Sequence, residues 1–349
     1  MSVTAADPLL RVEHLTVEFP AQGGGKVHAV TDVSFDLREG ETLGLVGESG
    51  CGKSTTARSI MQLPPPTSGS VVFEGAELTA LSGSALRQVR PRMQMIFQDP
   101  ISSLNPRRGV ADIIAEPLAT WHVGTKKDRQ AKVAELMDAV GLDYDRVGRR
   151  RRRAFSGGQC QRVSIARALA LEPKLLICDE AVSALDVSVQ AQILNLLEAM
   201  KARYGLTLIF VAHDLAVVKR VSDRVAVMYL GKLCEVAPAE DLYRAPAHHY
   251  TAALLRAIPE PDPSRRTEPD DVLTGEPPSA TDPPTGCRFR TRCPRAEERC
   301  ADEEPELRAV APGHVVACHF PLGRDSVTAA WVAPPRRDGV APAAGNGIP

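Results

Sequence analysis

The stretch GESGCGKST, from Gly47 to Thr55, decides the fold of this chain. It matches the phosphate-loop pattern G-x-x-x-x-G-K-[ST], in which glycines let backbone N–H groups wrap a phosphate. An apolar run precedes it and indicates a buried strand. A helical pattern follows and stops at the prolines 64–66, where a helix cannot continue. Because the start of a helix adds positive potential to such a loop, this context predicts a nucleotide-binding α/β fold.

The loop assigns roles to individual side chains. Lys53 is placed to reach the β- and γ-phosphates, and the Ser54 hydroxyl is placed to ligate Mg²⁺. Cys51 is interpreted as a small space-filling residue, with a redox-sensitive thiol as the alternative. The predicted nucleotide-binding residues of this loop are Gly47, Ser49, Gly50, Cys51, Gly52, Lys53, Ser54 and Thr55.

Two further apolar runs end in polar residues. The runs LLICDE and LIFVAHD are continuously apolar, which is typical of strands buried on both faces of a parallel sheet. Such sheets bind ligands at the carboxyl ends of their strands. We therefore expect Asp179 to hold Mg²⁺ through water and Glu180 to act as general base on the attacking water. His213 ends the third strand and is expected at the same edge.

A second glycine-rich turn lies at Ser156-Gly157-Gly158-Gln159. A serine hydroxyl and glycine N–H groups at a helix start form an anion site. One bound nucleotide does not need two such loops. The alternative interpretation is a plain helix-capping turn.

The order of these motifs resembles one family. GESGCGKST, FQDP, FSGGQ, LLICDE, SALD and VAHD occur as in the ATP-binding subunits of ABC transporters, and the resemblance covers roughly Leu10 to Pro263. It implies that Gln98 touches Mg²⁺ and the water, and that His213 senses the γ-phosphate. It also implies that Phe19 stacks on adenine.

The same resemblance gives the second glycine-rich turn a purpose. Two nucleotide-binding subunits of that family pair head to tail, so Ser156 to Gln159 of one chain would contact the γ-phosphate held by the other. Ser183 and Asp186 would belong to a loop that communicates across this dimer. ATP and Mg²⁺ are the implied cofactors.

Further stretches narrow the resemblance to one subfamily of ABC transporters. IFQDPISSLNPR and HHYTAALLRAIPEPDP resemble subunits of oligopeptide and dipeptide importers, a group that includes nickel and glutathione importers. The implied partners are a second ATPase subunit, either related or identical, two transmembrane permeases and an external binding protein. The implied location is the cytoplasmic face of the membrane. The rival hypotheses are a non-transport ABC ATPase acting on DNA or the ribosome, and an exporter subunit.

We predict a P-loop ABC ATPase with a RecA-like core, an antiparallel β subdomain and a helical subdomain. The nucleotide-binding domain is expected at 1–258, with its helical subdomain at about 99–158. A proline-rich linker is expected at 259–286, where proline and charge dominate. A cysteine-rich region is expected at 287–325 and a disordered tail at 326–349.

The chain departs from the family at three places. Ala181 stands where proline usually follows the Asp-Glu pair. Arg152, Arg153 and Ala154 replace the usual Pro-His-Glu type of sequence, and the usual HPYT is HHYT here, with His249 in place of the proline. The basic run 149–153 is interpreted as a solvated helix end, with attraction of nucleotide or contact with anionic lipid as alternatives.

Four of the eight cysteines cluster near the C-terminus, with the spacing C-x5-C-x6-C-x17-C. Clustered reduced thiols are good ligands for soft metals, and the spacing lacks the short knuckles typical of zinc. A [4Fe–4S] cluster is the preferred interpretation, and some members of the resembling subfamily carry one. Zinc and free thiols stay open. The candidate ligands are Cys287, Cys293, Cys300 and Cys318.

The bulk composition sets broad limits. The formal net charge is −1, so nothing global attracts nucleic acid, and no nucleic-acid partner is expected. The first residues lack a signal-peptide pattern, and no apolar run approaches the ~20 residues that cross a bilayer. We therefore expect a cytoplasmic chain whose cysteines are reduced thiols or metal ligands.

Overall fold

A computed structural model describes residues 7–21, 23–258 and 275–323. Two sheets and eleven α-helices make up this part of the chain. The strands are β1 (Leu10–Pro20), β2 (Lys26–Leu37), β3 (Thr42–Val46), β4 (Ser68–Phe73), β5 (Ala76–Glu77), β6 (Met93–Ile96), β7 (Leu175–Asp179), β8 (Thr207–Val211), β9 (Arg224–Tyr229), β10 (Lys232–Pro238), β11 (Arg308–Ala311) and β12 (His314–Val316).

The larger sheet has eight strands in the order β11-β12-β10-β9-β3-β8-β7-β6. The five strands from β9 to β6 are parallel, and β3, β7 and β8 are buried along their whole length. Burial on both faces explains why their sequences are continuously apolar rather than alternating. The predicted α/β fold is confirmed, and β3, β7 and β8 bring their carboxyl ends to one edge.

The smaller sheet is antiparallel, in the order β2-β1-β4-β5. Its apolar side chains pack in one core with those on one face of the large sheet, while most of the helices cover the other face. The α-helices are α1 (Lys53–Ile60), α2 (Gly83–Val89), α3 (Val110–Thr120), α4 (Lys126–Ala139), α5 (Tyr144–Val147), α6 (Gly157–Leu169), α7 (Val187–Tyr204), α8 (Leu215–Val221), α9 (Ala239–Arg244), α10 (His249–Arg256) and α11 (Arg299–Asp302).

The C-terminal segment is built into the large sheet. Strand β12 pairs antiparallel with β10, with Val315 opposite Val236, and β11 adds the outer edge. Upstream of it, the Ala280 carbonyl accepts a hydrogen bond from His28 N at 2.9 Å, so part of the predicted linker touches the body. Residues 259–274 of that linker and the whole predicted tail lie outside the described residues.

Within the described ranges, no helix is both long enough and apolar enough to cross a bilayer.

Candidate functional site

The loop after β3 requires glycine at two positions. A Cβ atom on Gly47 would lie 2.1 Å from the Met228 carbonyl oxygen, and one on Gly52 would lie 2.3 Å from that of Ala29. Gly52 also has φ 103°, in the left-handed region, where it begins α1. The loop is therefore held close to its neighbouring backbone, with α1 starting directly behind it.

Lys53 is folded back over the loop. Its Nζ donates to the carbonyl oxygens of Gly47 and Glu48, both at 2.8 Å, and only 4% of the residue is exposed. The ammonium group thus lies inside the curve of the loop, where a phosphate would bind.

Ser54 and Asp179 meet across 125 residues of sequence. The Ser54 hydroxyl donates to Asp179 Oδ1 at 2.6 Å, and Arg58 Nη2 lies 3.3 Å from Asp179 Oδ2. Asp179 is fully buried at the end of β7. A hydroxyl and a carboxylate oxygen suit the hard cation Mg²⁺, so these two residues fit the predicted magnesium ligands. Arg58 was not anticipated from the sequence.

Two predicted residues, Gln98 and His213, converge on a third, Glu180. Gln98 Nε2 donates to Glu180 Oε2 at 2.7 Å, and His213 Nδ1 lies 3.8 Å from the same oxygen. Glu180 has φ 48°, an uncommon value for a residue with a side chain, and its side chain is 14% exposed. Glutamine, glutamate and histidine thus surround one carboxylate beside the Ser54–Asp179 pair.

The second glycine-rich turn begins α6. Ser156 Oγ accepts from Gln159 N at 3.3 Å, and Gln159 Oε1 accepts from Ser156 N at 3.0 Å, which together form a capping box. A Cβ on Gly158 would lie 2.4 Å from Val189 Cγ1, so a larger residue would push α7 away. Gly157 is half-buried and Ser156 is exposed, so the turn presents its hydroxyl to the outside.

The remaining predicted residues surround this edge. Ser183 Oγ donates to the Glu180 carbonyl at 3.0 Å, and Asp186 caps α7 by accepting from Val189 N at 2.9 Å. That hydrogen bond holds the pKa of Asp186 below its usual range. Phe19 lies near the end of β1, 37% exposed. Cys51 is 4% exposed, which suits its interpretation as a space-filling residue.

Four cysteines line one small cavity in the C-terminal segment, together with His248, Phe289 and Phe320. The cavity is small: its accessible volume is about 10 Å³, roughly what one water molecule needs. Burial raises the pKa of the Cys293 thiol to about 11 and that of Cys318 to about 12. The four predicted ligands, Cys287, Cys293, Cys300 and Cys318, are all free thiols.

The cavity is not a tight single-ion site. Within the described ranges, no three His, Cys, Asp or Glu side chains converge closely enough to hold one metal ion. His248 is a helix cap rather than a ligand, since its Nδ1 accepts from Tyr250 N at 3.0 Å. Burial lowers the pKa of His248 to about 4, which keeps the ring neutral. His249 Nε2 lies 2.9 Å from the Phe320 carbonyl oxygen.

Known proteins resemble this chain over most of its length. A family model described as "ABC transporter" matches residues 30–183, and one described as "Oligopeptide/dipeptide transporter, C-terminal region" matches 234–300. The putative oligopeptide transport ATP-binding protein YkfD of Bacillus subtilis is 51% identical over 315 residues, which is 90% of this chain and 95% of that protein. The chain belongs to the ABC transporter family, among its oligopeptide-transport ATP-binding proteins. It is therefore an ABC ATPase.

Two further relatives and two solved structures extend the comparison. The ABC ATPase is 47% identical to the oligopeptide transport ATP-binding protein AppF of Bacillus subtilis, over 92% of this chain and 99% of that one. A putative peptide import ATP-binding protein of Brucella ovis is 49% identical, over 89% and 97%. The dimeric cassette MJ0796, bound to ADP and phosphate, superposes with a TM-score of 0.60 at 27% identity, over 66% and 98%. CbiO1 of Clostridium perfringens gives 0.60 at 26% identity, over 68% and 91%.

The sequence suggested that the basic run 149–153 of this ABC ATPase is the end of a helix, but the structure differs. Helix α5 already stops at Val147, and residues 152–154 form a 3-10 turn. The Arg150 carbonyl accepts from Val110 N at 3.0 Å, so the backbone of the run is tied to the start of α3. Arg149, Arg150, Arg151 and Arg153 are exposed, and Arg152 is half-buried.

The sequence does not reveal two residues that contact the phosphate loop from far along the chain. Arg292 of the C-terminal segment pairs with the Glu48 carboxylate. The Tyr250 hydroxyl accepts from Glu48 N at 2.9 Å. Nothing in the motif pattern marks these long-range partners.

Proposed function

We propose that this ABC ATPase powers the import of di- and oligopeptides, by ATP-dependent dimerisation with a second nucleotide-binding subunit. The observation that carries the proposal is the convergence of Gln98 and His213 on the Glu180 carboxylate, next to the Ser54–Asp179 pair. A carboxylate, an amide and an imidazole grouped beside a phosphate loop are the groups that in-line hydrolysis of a γ-phosphate requires.

Each group then has a distinct task. Lys53 neutralises charge on the β- and γ-phosphates. Glu180 accepts a hydrogen bond from the attacking water and orients it, with Gln98 holding the carboxylate from the other side. His213 donates to the γ-phosphate. Ser54 and Asp179 would hold Mg²⁺, which supplies neutralisation of the developing negative charge.

The dimer supplies the missing part of each site. The exposed Ser156 hydroxyl and the start of α6 offer an anion site that faces outward. We infer that it binds the γ-phosphate on the partner subunit, with Ser183 and Asp186 at the same interface. ATP buried between two surfaces then links dimerisation to binding, and hydrolysis releases it.

A groove next to Gln98 is suited to a permease. It is lined by Leu63, Phe97 and Trp121, and the first two are more than two-fifths exposed. Arginines 58, 90 and 167 and Asp99 also line the groove, so it offers apolar and charged contacts beside Gln98, through which a docked segment could bias the site. We propose that two permease chains dock here at the cytoplasmic face of the membrane, and that an external binding protein delivers the cargo. Nickel or glutathione import is the alternative within the same family, and the names of the relatives favour peptides.

The test is reconstitution. The complete transporter in liposomes, with its binding protein, should show ATPase activity that rises when a di- or oligopeptide is added. Nickel or glutathione in place of peptide identifies the alternative. Stimulation by nucleic acid instead of by any of these cargoes would refute the transport assignment.

We propose in addition that the four C-terminal thiols hold a [4Fe–4S] cluster. The four sulfurs line one cavity, yet they do not converge as a single zinc ion would need, and a cluster with an iron at each corner accepts wider spacing. The cluster would cross-link a segment that has little core of its own. Anaerobic purification with iron and sulfide assays tests it, with Cys318→Ser as the variant. A colourless, iron-free protein would refute it.

A further inference from the structure

An arginine from the cysteine-rich segment pairs directly with the phosphate loop. Arg292 Nη1 donates to Glu48 Oε2 at 2.6 Å and Nη2 donates to Oε1 at 3.0 Å. The Arg292 side chain is 4% exposed and that of Glu48 is 27% exposed. Two parallel charge-assisted bonds hold the Glu48 carboxylate in one position. The pair joins residues 244 positions apart in sequence.

Glu48 is engaged on every side. Its main-chain N–H donates to the Tyr250 hydroxyl at 2.9 Å, and its carbonyl accepts from Lys53 Nζ at 2.8 Å. The residue that pairs with Arg292 therefore also positions the lysine expected to meet the phosphates. A shift of Glu48 would move both.

The arginine itself is held rigidly. Its guanidinium lies 5.8 Å from the centre of the Tyr229 ring, and Nη1 is 3.4 Å from the Tyr229 hydroxyl. Phe289 packs against the rings of Tyr229 and Tyr250, with centroids 5.2 and 5.3 Å away. Arg288 donates to Thr31 Oγ1 at 3.0 Å and to the Leu230 carbonyl. The contacts of Arg288, Phe289 and Arg292 thus hold the segment against the loop.

We propose that Arg292 is a positioning residue for the ATPase reaction, which neutralises Glu48 so that the loop accepts the triphosphate. An unpaired carboxylate in the loop would repel the phosphates, because the like charges would lie close together with little water between them. Through Arg292, the C-terminal segment thereby contributes to nucleotide affinity. This conclusion holds whichever cargo is carried and whether or not the thiols bind a cluster.

The test measures binding of a fluorescent ATP analogue to the full chain. Arg292→Met keeps an unbranched side chain at this position but removes the charged guanidinium. It should weaken binding by about fivefold or more, the usual range for coupling between sites. Arg292→Lys, which retains the charge, should recover most of the affinity. The matched control is Arg299→Met, an exposed arginine of the same segment that pairs with Glu303; it should bind as the wild type does.

A compensating change separates this role from simple stabilisation of the fold. Adding Glu48→Gln to Arg292→Met removes the unpaired charge, so affinity should return to within about twofold of Glu48→Gln alone, as a coupled pair requires. The KM for ATP should rise in Arg292→Met while kcat changes little. Unchanged binding in Arg292→Met, or a double variant as weak as Arg292→Met itself, would overturn the proposal. Equal decreases in melting temperature in Arg292→Met and in the double variant would show that the recovered binding does not come from recovered stability.

Discussion

At the scale of single residues, the ATP site consists of side chains that are far apart in sequence and are brought together by parallel strands. Ser54 follows β3, Asp179 and Glu180 follow β7, and His213 follows β8. Since the three strands run in the same direction, their ends share one edge, and the sequence alone predicted this grouping. Gln98 reaches the same edge from β6, the outermost strand.

The first residue-scale prediction concerns Glu180. Glu180→Gln keeps the size of the side chain but cannot accept a proton from water, so hydrolysis should fall by about 10²- to 10⁴-fold, the usual contribution of a general base. ATP binding should persist, and an ATP-bound dimer should accumulate in size-exclusion chromatography. The matched control is Glu198→Gln, an exposed position on α7. Hydrolysis at the normal rate in Glu180→Gln would show that the role is wrong.

The second concerns Lys53. Lys53→Ala removes the ammonium group that lies inside the loop and its bonds to the carbonyls of Gly47 and Glu48. Losing charge-assisted contacts to the phosphates should weaken ATP binding by about 10- to 100-fold. A titration with a labelled nucleotide measures this. Lys127→Ala, on the exposed side of α4, should leave the affinity unchanged. Equal affinities for the two variants would exclude a phosphate contact by Lys53.

At the scale of elements, a buried carboxylate joins three of them. Glu235 of β10 lies 2.6 Å from His314 Nε2 of β12, and its oxygens accept from the N–H groups of Ala247 and His248 before α10. Burial pushes the pKa of Glu235 upward, but the hydrogen bond from His314 and those from the backbone outweigh it, so the pKa lies below its ordinary value. Besides the strand pairing, one charged residue therefore links the C-terminal strands to β10 and to the start of α10.

This arrangement predicts a pH-dependent stability. The lowered pKa of Glu235 means that its ionised form stabilises the fold above pH about 4.5, and that the contribution disappears as the pH falls through the folded-state pKa. Glu235→Gln should lower the free energy of unfolding by about 1–3 kcal/mol at pH 7, because buried acceptors are replaced by a weaker one. Urea unfolding of both proteins measures this.

The difference between wild type and Glu235→Gln should shrink as the pH falls through the lowered folded-state pKa of Glu235, because the wild-type carboxyl then also becomes neutral. Glu240→Gln, at an exposed position in the first turn of α9, is the control and should change stability little at any pH. A constant difference from pH 7 to acid would contradict the role given to the ionised carboxylate.

The elements also show where sequence reasoning ends. Strands β3, β7 and β8 are long apolar runs next to motifs, so both their existence and their common direction could be predicted. Strands β11 and β12 have four and three residues and no clear alternation, and their partner β10 lies about eighty positions away. Such pairing depends on tertiary burial rather than local pattern. The Arg292–Glu48 pair was missed for the same reason.

At the scale of the whole molecule, the proposed function gives the chain two halves of different sites. The phosphate loop and Glu180 form one half, and the outward-facing turn at Ser156 forms the other. A head-to-tail pair would complete both sites at once, as proposed above. A monomer should then bind ATP yet hydrolyse it poorly, and the activity per chain should rise with protein concentration.

Complementation between variants tests, more directly than dilution does, whether each site needs two chains. Ser156→Arg damages only the half-site offered to the partner, and Glu180→Gln damages only the chain's own half. Each variant alone should be nearly inactive, because every site in its dimer has one damaged half. In an equal mixture, mixed dimers contain one site with an intact loop, an intact Glu180 and an intact Ser156 turn. Activity should therefore reappear on mixing, at roughly a quarter of the wild-type rate if pairing is random and the sites act independently. An inactive mixture, measured at a concentration where the wild type is active, would mean that Ser156 serves the nucleotide of its own chain.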